Sequence, residues 1–250
     1  MSKSNLIRRK KLIAVAGAPG VGKTTIATKI ARELAIRGNN VILVHCDSII
    51  SQLPLATTNL DAYASLMRLA NANISDEGKI TNTDMIKCLN WAESPIEKKV
   101  RTRVGFLGIL PNEIMSDYTP ISMESAERLF SRLLRLEMVD YVIVDCESNM
   151  FTSHLSYVAL LHADERVIVY NADIKSVGYH ENVMKRLSKQ VSKWKPWIIL
   201  NKVKPTEPVA TIKVKLGGSN FIIEDDENIK LQFLDGLLLK ELNLLKLWVH

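Results

Sequence analysis

A glycine-rich segment followed by a lysine and two threonines is the strongest chemical feature of the sequence. Residues 17–25 read GAPGVGKTT, which matches the pattern G-x-x-x-x-G-K-[ST]. The segment follows the apolar run LIAVA and precedes a stretch with helical periodicity. This order of strand, loop and helix predicts a loop that binds the phosphates of a nucleotide. The predicted binding residues are Gly17, Ala18, Pro19, Gly20, Val21, Gly22, Lys23, Thr24 and Thr25.

Each residue type in this loop has a chemical reason to be there. The glycines let the backbone curl until successive N–H groups point at phosphate oxygens, and the helix N-terminus adds a partial positive charge. We expect the Lys23 ammonium to reach the β- and γ-phosphates and the Thr24 hydroxyl to bind Mg²⁺. The sequence therefore predicts a site for a nucleoside triphosphate with Mg²⁺.

Two aspartates end predicted strands and are candidates for chemistry beside the loop. Asp145 closes the run YVIVD, and we expect it to hold Mg²⁺ together with Thr24. Asp47 closes VILVHCD, where its carboxylate would orient the attacking water or act on Mg²⁺ from a second layer. The alternative for both is that the aspartate only caps the next turn. Lys23, Asp47 and Asp145 are the predicted catalytic residues.

The last long apolar strand, WIILNKVK, indicates which base is bound. A guanine-specific protein would place an aspartate at the fourth position of Asn-Lys-x-Asp, because that carboxylate accepts two guanine hydrogen bonds. Lys204 stands there and can only donate. The Asn201 amide can both accept from and donate to adenine, which favours ATP. The alternative is that Asn201 only ends the strand.

The elements that must position these residues alternate between short apolar runs and helical stretches. Continuously apolar runs are typical of strands covered on both faces of a parallel sheet, and the alternation predicts an α/β fold with a doubly wound, mostly parallel sheet and helices on both faces. The predicted helices are Thr24–Arg37, Ser122–Met138 and Ser176–Lys193, and the predicted strands are Leu12–Ala16, Val41–His45, Val104–Leu110, Tyr141–Val144, Val167–Tyr170, Trp197–Leu200 and Phe221–Ile223.

We expect one domain over residues 1–250, since this length is enough for a single sizeable core. Residues 48–99 are the least regular part and predict an insertion over the sheet edge. Residues 229–248 predict a C-terminal helix.

The composition is that of a soluble globular protein, with 47% apolar and 24% charged residues. The net charge of +6 favours an anionic partner such as nucleotide, nucleic acid or a lipid surface, although the same charge also serves solubility alone. Cys46, Cys88 and Cys146 show neither metal-binding spacing nor a disulfide framework. The sequence shows no secretory signal and no run of about 20 apolar residues, so we expect a cytoplasmic protein.

With these motifs the sequence resembles the ParA/MinD family of P-loop ATPases, of the SIMIBI class. The resemblance runs through GAPGVGKTT, VILVHCD, VDYVIVDCES, HADERVIVYNADIKSV and WIILNKVK. The stretch from Ala163 to Val177 is similar to the pilus-positioning branch related to CpaE and TadZ. The resemblance implies that Asp47 lies in a switch region near the γ-phosphate, Asp145 in the second Mg²⁺-binding motif and Asn201 at the adenine.

Two positions depart from this resemblance: Ser48 follows Asp47 where the family usually has proline, and the other departure, in the loop, bears on hydrolysis. The family loop typically carries a lysine that crosses a dimer interface to the partner's phosphates, and Ala18 stands at the matching position. Alanine supplies no charge, so we expect slow hydrolysis of ATP to ADP and phosphate, or hydrolysis stimulated by a partner that delivers a positive group. A homodimer is the assembly that the resemblance implies.

Two surfaces are candidates for partners. Lys185, Lys189 and Lys193 recur every four residues on the predicted helix 176–193, which suits either non-specific DNA contact or a solvated face. The leucine-rich tail at 237–250 is similar to the membrane-binding helix of MinD-like proteins. Packing of that tail onto the body or onto a protein partner is the favoured alternative.

Three functional hypotheses follow. The first is an ATP-dependent switch that positions or partitions DNA, such as a plasmid, or an envelope, secretion or pilus machine. The second is an ATP-binding assembly component of a pilus or conjugation system with little hydrolysis. The third is a small-molecule kinase, which would need an arginine-rich lid and an acceptor pocket.

Overall fold

One eight-stranded sheet runs through the part of the chain that the computed structural model describes, namely residues 10–57, 60–75, 81–91, 104–113, 117–191 and 193–226. Its strand order is β3-β4-β2-β5-β1-β6-β7-β8. The strands are β1 Lys11–Gly17, β2 Val41–His45, β3 Asn90–Trp91, β4 Val104–Leu107, β5 Tyr141–Asp145, β6 Glu165–Tyr170, β7 Trp197–Val203 and β8 Phe221–Glu224.

The sheet is parallel except at one edge, where β3 pairs antiparallel with β4. Every residue of β2 is buried, which explains why its sequence shows no alternation of apolar and polar residues. Neighbouring residues of β1 face opposite sides: Leu12 and Ala14 belong to one buried core, and Ile13 and Val15 to the other. The predicted doubly wound, mostly parallel sheet is confirmed.

Helices cover both faces of the sheet. One core packs against α1 (Lys23–Ile36) and α2 (Leu53–Ala56). The other core is covered by the remaining helices: α3 Leu66–Ser75, α4 Asn82–Lys87, α5 Met123–Arg135, α6 His154–His162, α7 Ile174–Tyr179, α8 Lys185–Ser188 and α9 Val209–Leu216. Between α7 and α8, residues His180–Met184 form a π-helical turn. No helix in the described ranges is long and apolar enough to cross a bilayer.

The predicted helix Ser176–Lys193 is wrong at both ends and in its interior. The observed helical segment starts at Ile174, passes through the π-helical turn and ends at Ser188. Trp194 lies beside the Arg166 guanidinium of β6, and Lys195 precedes a proline, which disfavours helix. Lys193 therefore lies outside the helix, and the predicted stripe of three lysines on one helix face is not formed.

The irregular segment 48–99 contributes short pieces of structure where it is described. These pieces are α2, α3, α4 and the two-residue strand β3, which forms the edge of the sheet. The predicted C-terminal helix at 229–248 and the leucine-rich tail lie outside the described residues. The single-domain assignment stays a prediction.

Candidate functional site

The glycine-rich loop connects β1 to α1 at the carboxyl edge of the parallel sheet. Gly17 ends β1 so close to β6 that a Cβ on it would lie 2.1 Å from the Val169 carbonyl oxygen. Gly20 and Gly22 have φ angles of 76° and 92°, in the left-handed region that glycine adopts without strain. The loop thus has its shape because these three positions are glycines.

The N-terminus of α1 is open toward the loop. Its N-cap residue is Gly22, no side chain caps it, and its first turn contains no acidic residue. The first N–H groups of the helix and its partial positive charge are therefore left for an anion.

Lys23 is the first residue of α1, and its side chain curls back over the loop. Its Nζ donates to the Ala18 carbonyl at 3.2 Å and to the Ser148 hydroxyl at 2.5 Å. Burial lowers the pKa of Lys23, and the negative charge of Asp145 opposes this shift. Both hydrogen-bond partners are neutral, so an anion placed beside this ammonium would be strongly favoured.

Asp145 collects hydrogen bonds from two different elements. The Thr24 hydroxyl donates to its Oδ2 at 2.7 Å, and His45 Nδ1 lies 3.1 Å from the same oxygen. This grouping follows from the register, because Asp145 pairs with Val15 of β1 on one side and with His45 of β2 on the other. Asp145 and His45 are 5% and 2% exposed, so water cannot replace these contacts. The His45 ring also stacks parallel to Phe106, with centroids 6.3 Å apart.

Asp47 binds its own loop. Its Oδ1 accepts the backbone N–H groups of Ile49 at 2.9 Å and Ile50 at 3.0 Å. This is the turn-capping arrangement considered above as an alternative, although Asp47 also lines the pocket beside the glycine-rich loop. Its catalytic role stays a prediction.

A cavity of about 540 Å³ lies between the glycine-rich loop and the ends of β2 and β5. Burial raises the pKa of the Glu147 carboxyl at its wall, and the nearby Asp47 charge adds to that shift. The Tyr179 hydroxyl donates to the Ser148 carbonyl at 2.9 Å and so ties α7 to the end of β5. The cavity is lined by Pro19, Lys23, Thr24, Asp47, Ile49, Ile50, Asp145, Cys146, Glu147, Ser148, Asn149 and Tyr179.

Asn201 lies on the other side of the loop, 5% exposed. Its Nδ2 donates to the Val21 carbonyl at 2.8 Å, so the NH₂ group offered to adenine in the sequence argument already has a partner. Its role at the base stays a prediction.

The donor set suits Mg²⁺. The Thr24 hydroxyl and the Asp145 carboxylate are oxygen ligands of the type that Mg²⁺ prefers, and they already lie within hydrogen-bonding distance of each other. Within the described ranges no group of three or more His, Cys, Asp and Glu side chains could hold a metal unaided. Mg²⁺ in proteins is often held by one or two side chains together with phosphate oxygens and water.

Among the residues that sequence reasoning did not assign to this site are four with polar contacts there: His45, Glu147, Ser148 and Tyr179. Three of them carried a readable signal, since His45 is a polar residue inside an apolar run, and Glu147 and Ser148 directly follow Asp145 and Cys146. Tyr179 is brought to the site by the packing of α7, which no local pattern shows. Cys46 and Cys146 directly follow β2 and β5 and are buried, and burial raises the pKa of both thiols.

A sequence profile decides the family. The profile of the CobQ/CobB/MinD/ParA nucleotide binding domain (CbiA) matches residues 12–230. The chain belongs to this family. The resemblance to ParA/MinD-family P-loop ATPases is thereby confirmed.

Curated relatives in the family are septum site-determining MinD proteins. MinD of Bacillus subtilis is 25% identical over 230 residues, which cover 88% of this chain and 78% of that protein. MinD of Buchnera aphidicola subsp. Schizaphis graminum is 24% identical over 206 residues, covering 78% of this chain and 67% of that protein.

Solved structures of ParA and MinD proteins share the fold. A ParA family ATPase from Chlorobium tepidum aligns with a TM-score of 0.71 at 19% identity, over 96% of this chain and 93% of that one. MinD of Pyrococcus horikoshii, solved with Mg-ADP, aligns with a TM-score of 0.65 at 18% identity, over 91% and 86%. The P-loop fold of the ParA/MinD family is therefore the fold of this chain.

Proposed function

We propose that the protein binds ATP with Mg²⁺ at residues 17–25 and works as a nucleotide-dependent switch. The observation that carries the proposal is the convergence of Lys23, Thr24 and Asp145 on one cavity at the open N-terminus of α1. A positive group, an oxygen-ligand pair and free backbone N–H groups are the three features that a nucleotide triphosphate tail needs.

Each group of residues at the site would bind a different part of the nucleotide. Loop N–H groups and the Lys23 ammonium bind the phosphates, while Thr24 and Asp145 hold Mg²⁺. Bound Mg²⁺ neutralises phosphate charge and orients the triphosphate tail. Asn201 would contact the adenine, and Lys204, at the position where a guanine-specific protein carries an aspartate, argues against guanine.

A physical link between the phosphates and the surface supports the switch. Lys23 now bonds the Ser148 hydroxyl, and the Ser148 carbonyl accepts from Tyr179. A phosphate that takes over the Lys23 ammonium frees the Ser148 hydroxyl, and the segment 146–152 can then rearrange. Phe151 of this segment is 45% exposed, and Ile49 and Ile50, which line the same cavity, are 83% and 61% exposed, so a rearrangement changes an apolar surface that a partner can bind.

We propose a second copy of the chain or another protein as that partner, and the cytoplasm as the location. The MinD protein of Aquifex aeolicus is solved as a complex with MinC, which supports a protein partner. The output would be the positioning or partitioning of DNA or of a cell-envelope machine, including the pilus systems suggested by the sequence.

Turnover of ATP to ADP and phosphate would be slow. Ala18 brings no charge to the loop and is 2% exposed, and the Asp47 carboxylate is held by Ile49 and Ile50. These observations also favour the second candidate, an assembly component that binds ATP and scarcely hydrolyses it. Both candidates bind ATP in the same way. They differ in whether the Asp47 carboxylate leaves its hydrogen bonds to the N–H groups of Ile49 and Ile50.

Two measurements test the proposal. Light scattering of the purified protein with ATP·Mg²⁺, with ADP·Mg²⁺ and without nucleotide should show a mass change only with ATP, as a switch requires. Steady-state phosphate release with and without DNA then separates a stimulated ATPase from an assembly component. An unchanged mass in all three states contradicts the switch, and no ATP binding by calorimetry contradicts both candidates.

A further inference from the structure

Two consecutive residues of β7 reach across to the outside of the glycine-rich loop. The Asn201 Nδ2 donates to the Val21 carbonyl at 2.8 Å, and the Lys202 Nζ donates to the Gly20 carbonyl, also at 2.8 Å. Two neighbouring carbonyls of the loop are thus held from the same side by two neighbouring side chains.

These two contacts determine where the loop N–H groups point. In a trans peptide the C=O of one residue and the N–H of the next point in opposite directions. A Gly20 carbonyl held outward by Lys202 therefore turns the Val21 N–H to the opposite side, and a Val21 carbonyl held by Asn201 does the same for the Gly22 N–H. Inward N–H groups are what a phosphate-binding loop requires.

The backbone of Lys202 has an unfavourable conformation, and its side-chain contact with the loop explains why. Its φ angle is 56°, and it is the one residue other than glycine with a positive φ in the described ranges. A side-chain-bearing residue in the left-handed region is disfavoured and persists only where its surroundings hold it. At Lys202 the hydrogen bond to the Gly20 carbonyl is such a constraint.

The side chains of Asn201 and Lys202 also lie very close to Gly22 of the loop. A Cβ on Gly22 would lie 2.5 Å from the Asn201 Nδ2 and 3.6 Å from the Lys202 Cε. Gly22 is therefore needed both for its own φ angle and for the approach of these two side chains.

We propose that Asn201 and Lys202 are positioning residues, which orient the N–H groups of Val21 and Gly22 toward the nucleotide phosphates from outside the loop. The inference rests on the proposed function, because it assumes that the loop binds phosphates. It gives Asn201 a role at the loop in addition to, or in place of, the predicted contact with adenine.

The first test replaces the ammonium while keeping the aliphatic stem. Lys202→Met should weaken ATP·Mg²⁺ binding about tenfold by calorimetry, the size of one lost charge-assisted hydrogen bond. Competition by inorganic pyrophosphate should weaken by the same factor, and Lys202→Arg should recover most of the affinity. Lys215→Met removes the same charge from the exposed surface of α9 and should bind as wild type. Equal losses in Lys202→Met and Lys215→Met would mean a general charge effect and would overturn the role of Lys202.

A second variant distinguishes a role of Asn201 at the loop from a role at the adenine base. Asn201→Asp places an acceptor against the Val21 carbonyl, so ATP and pyrophosphate should both bind more weakly. If only ATP weakens and pyrophosphate competes as in wild type, Asn201 contacts the base and its role at the loop is overturned.

A measurement without nucleotide keeps this inference distinct from the proposed function. In nucleotide-free protein, ¹⁵N relaxation should give the Val21 and Gly22 amides order parameters near 0.85 that fall toward about 0.6 in Lys202→Met. If the order parameters fall but the wild type binds no ATP, the positioning stands and the proposed function fails. If the order parameters and the affinities of Lys202→Met both match wild type, the positioning is refuted.

Discussion

Replacing His45 with leucine tests whether Asp145 depends on its buried partner. His45 Nδ1 lies 3.1 Å from Asp145 Oδ2, and because an ionised carboxylate only accepts hydrogen bonds, we assign the proton to Nδ1, from which the imidazole donates to Asp145. Leucine keeps an apolar contact with Phe106 but supplies no donor. The carboxylate would keep its hydrogen bond from Thr24 and lose the other.

The size of the effect follows from burial. A hydrogen bond to a charged group contributes about 1.5–3 kcal/mol. His45 is 2% exposed, so water does not readily take its place beside Asp145. Because the Thr24 donor remains, and because leucine also removes the buried His45 Nε2, which has no hydrogen-bond partner in the described part of the chain, we expect a loss at the lower end of that range, about 1.5 kcal/mol. For a chain of this length that corresponds to a melting temperature lower by about 3–6 °C.

Urea unfolding followed by circular dichroism measures the change, with two companion variants. His162→Leu is the matched control, because His162 forms only an exposed pair with Glu127 at 3.3 Å, and such pairs contribute about 0–1 kcal/mol. His45→Asn places an amide donor near the position of Nδ1 and should recover part of the loss. If His45→Leu unfolds at the same urea concentration as wild type, or if His45→Asn is no better than His45→Leu, the carboxylate does not depend on this donor.

Three further predictions concern the cavity. Lys23→Ala should weaken ATP binding about a hundredfold in calorimetry, since it removes the ammonium that we expect to contact the phosphates. Asp47→Ala should bind ATP as wild type and release less phosphate. Wild-type affinity in the Lys23 variant would mean that the site is assigned wrongly. Glu147→Gln should gain stability over wild type as pH rises from about 4 to 7 in urea unfolding, because burial raises the pKa of Glu147 above its ordinary 4.5 and the folded state disfavours its charged form. Glu137→Gln, which makes the same substitution at an exposed residue, is the matched control. In thermal unfolding, ATP·Mg²⁺ at about 100 times its dissociation constant should stabilise the protein by about 2.7 kcal/mol, and EDTA should reduce this stabilisation if Thr24 and Asp145 hold the metal.

Much of the fold was predictable because the sheet is buried on both faces. The strand Val41–His45, for example, begins with four consecutive apolar residues, and the structure gives the bounds that the sequence predicts. The two-residue strand β3 was not predicted, since Asn90–Trp91 is too short to show a period and forms only through its partner β4. The helices α6 and α9 were also not predicted. The apolar sequence HLSYVALLH of α6 is buried on most sides and shows no single stripe.

Some residues of the site could likewise be found from a local motif, and others only from the tertiary structure. The glycine-rich loop, Lys23 and Thr24 follow each other in sequence, so a motif is enough to find them. Asp145 was found because it ends a strand. His45, 100 residues before it, becomes its partner only through the pairing of β2 with β5. Such contacts depend on strand order, which one sequence does not reveal.

Nucleotide binding and hydrolysis are separable in this arrangement. The groups that would bind the triphosphate lie on the loop, on α1 and at the end of β5, and neither the Ala18 side chain nor the Asp47 carboxylate is one of them. Asp47 would reach an attacking water only after releasing the N–H groups of Ile49 and Ile50, two hydrogen bonds whose N–H groups water can satisfy at this exposed site. A partner that binds the exposed Ile49 and Ile50 could move this turn and free the carboxylate. The structure therefore makes the turn at Asp47, not the phosphate loop, the place where a switch and a passive ATP-binding component would differ.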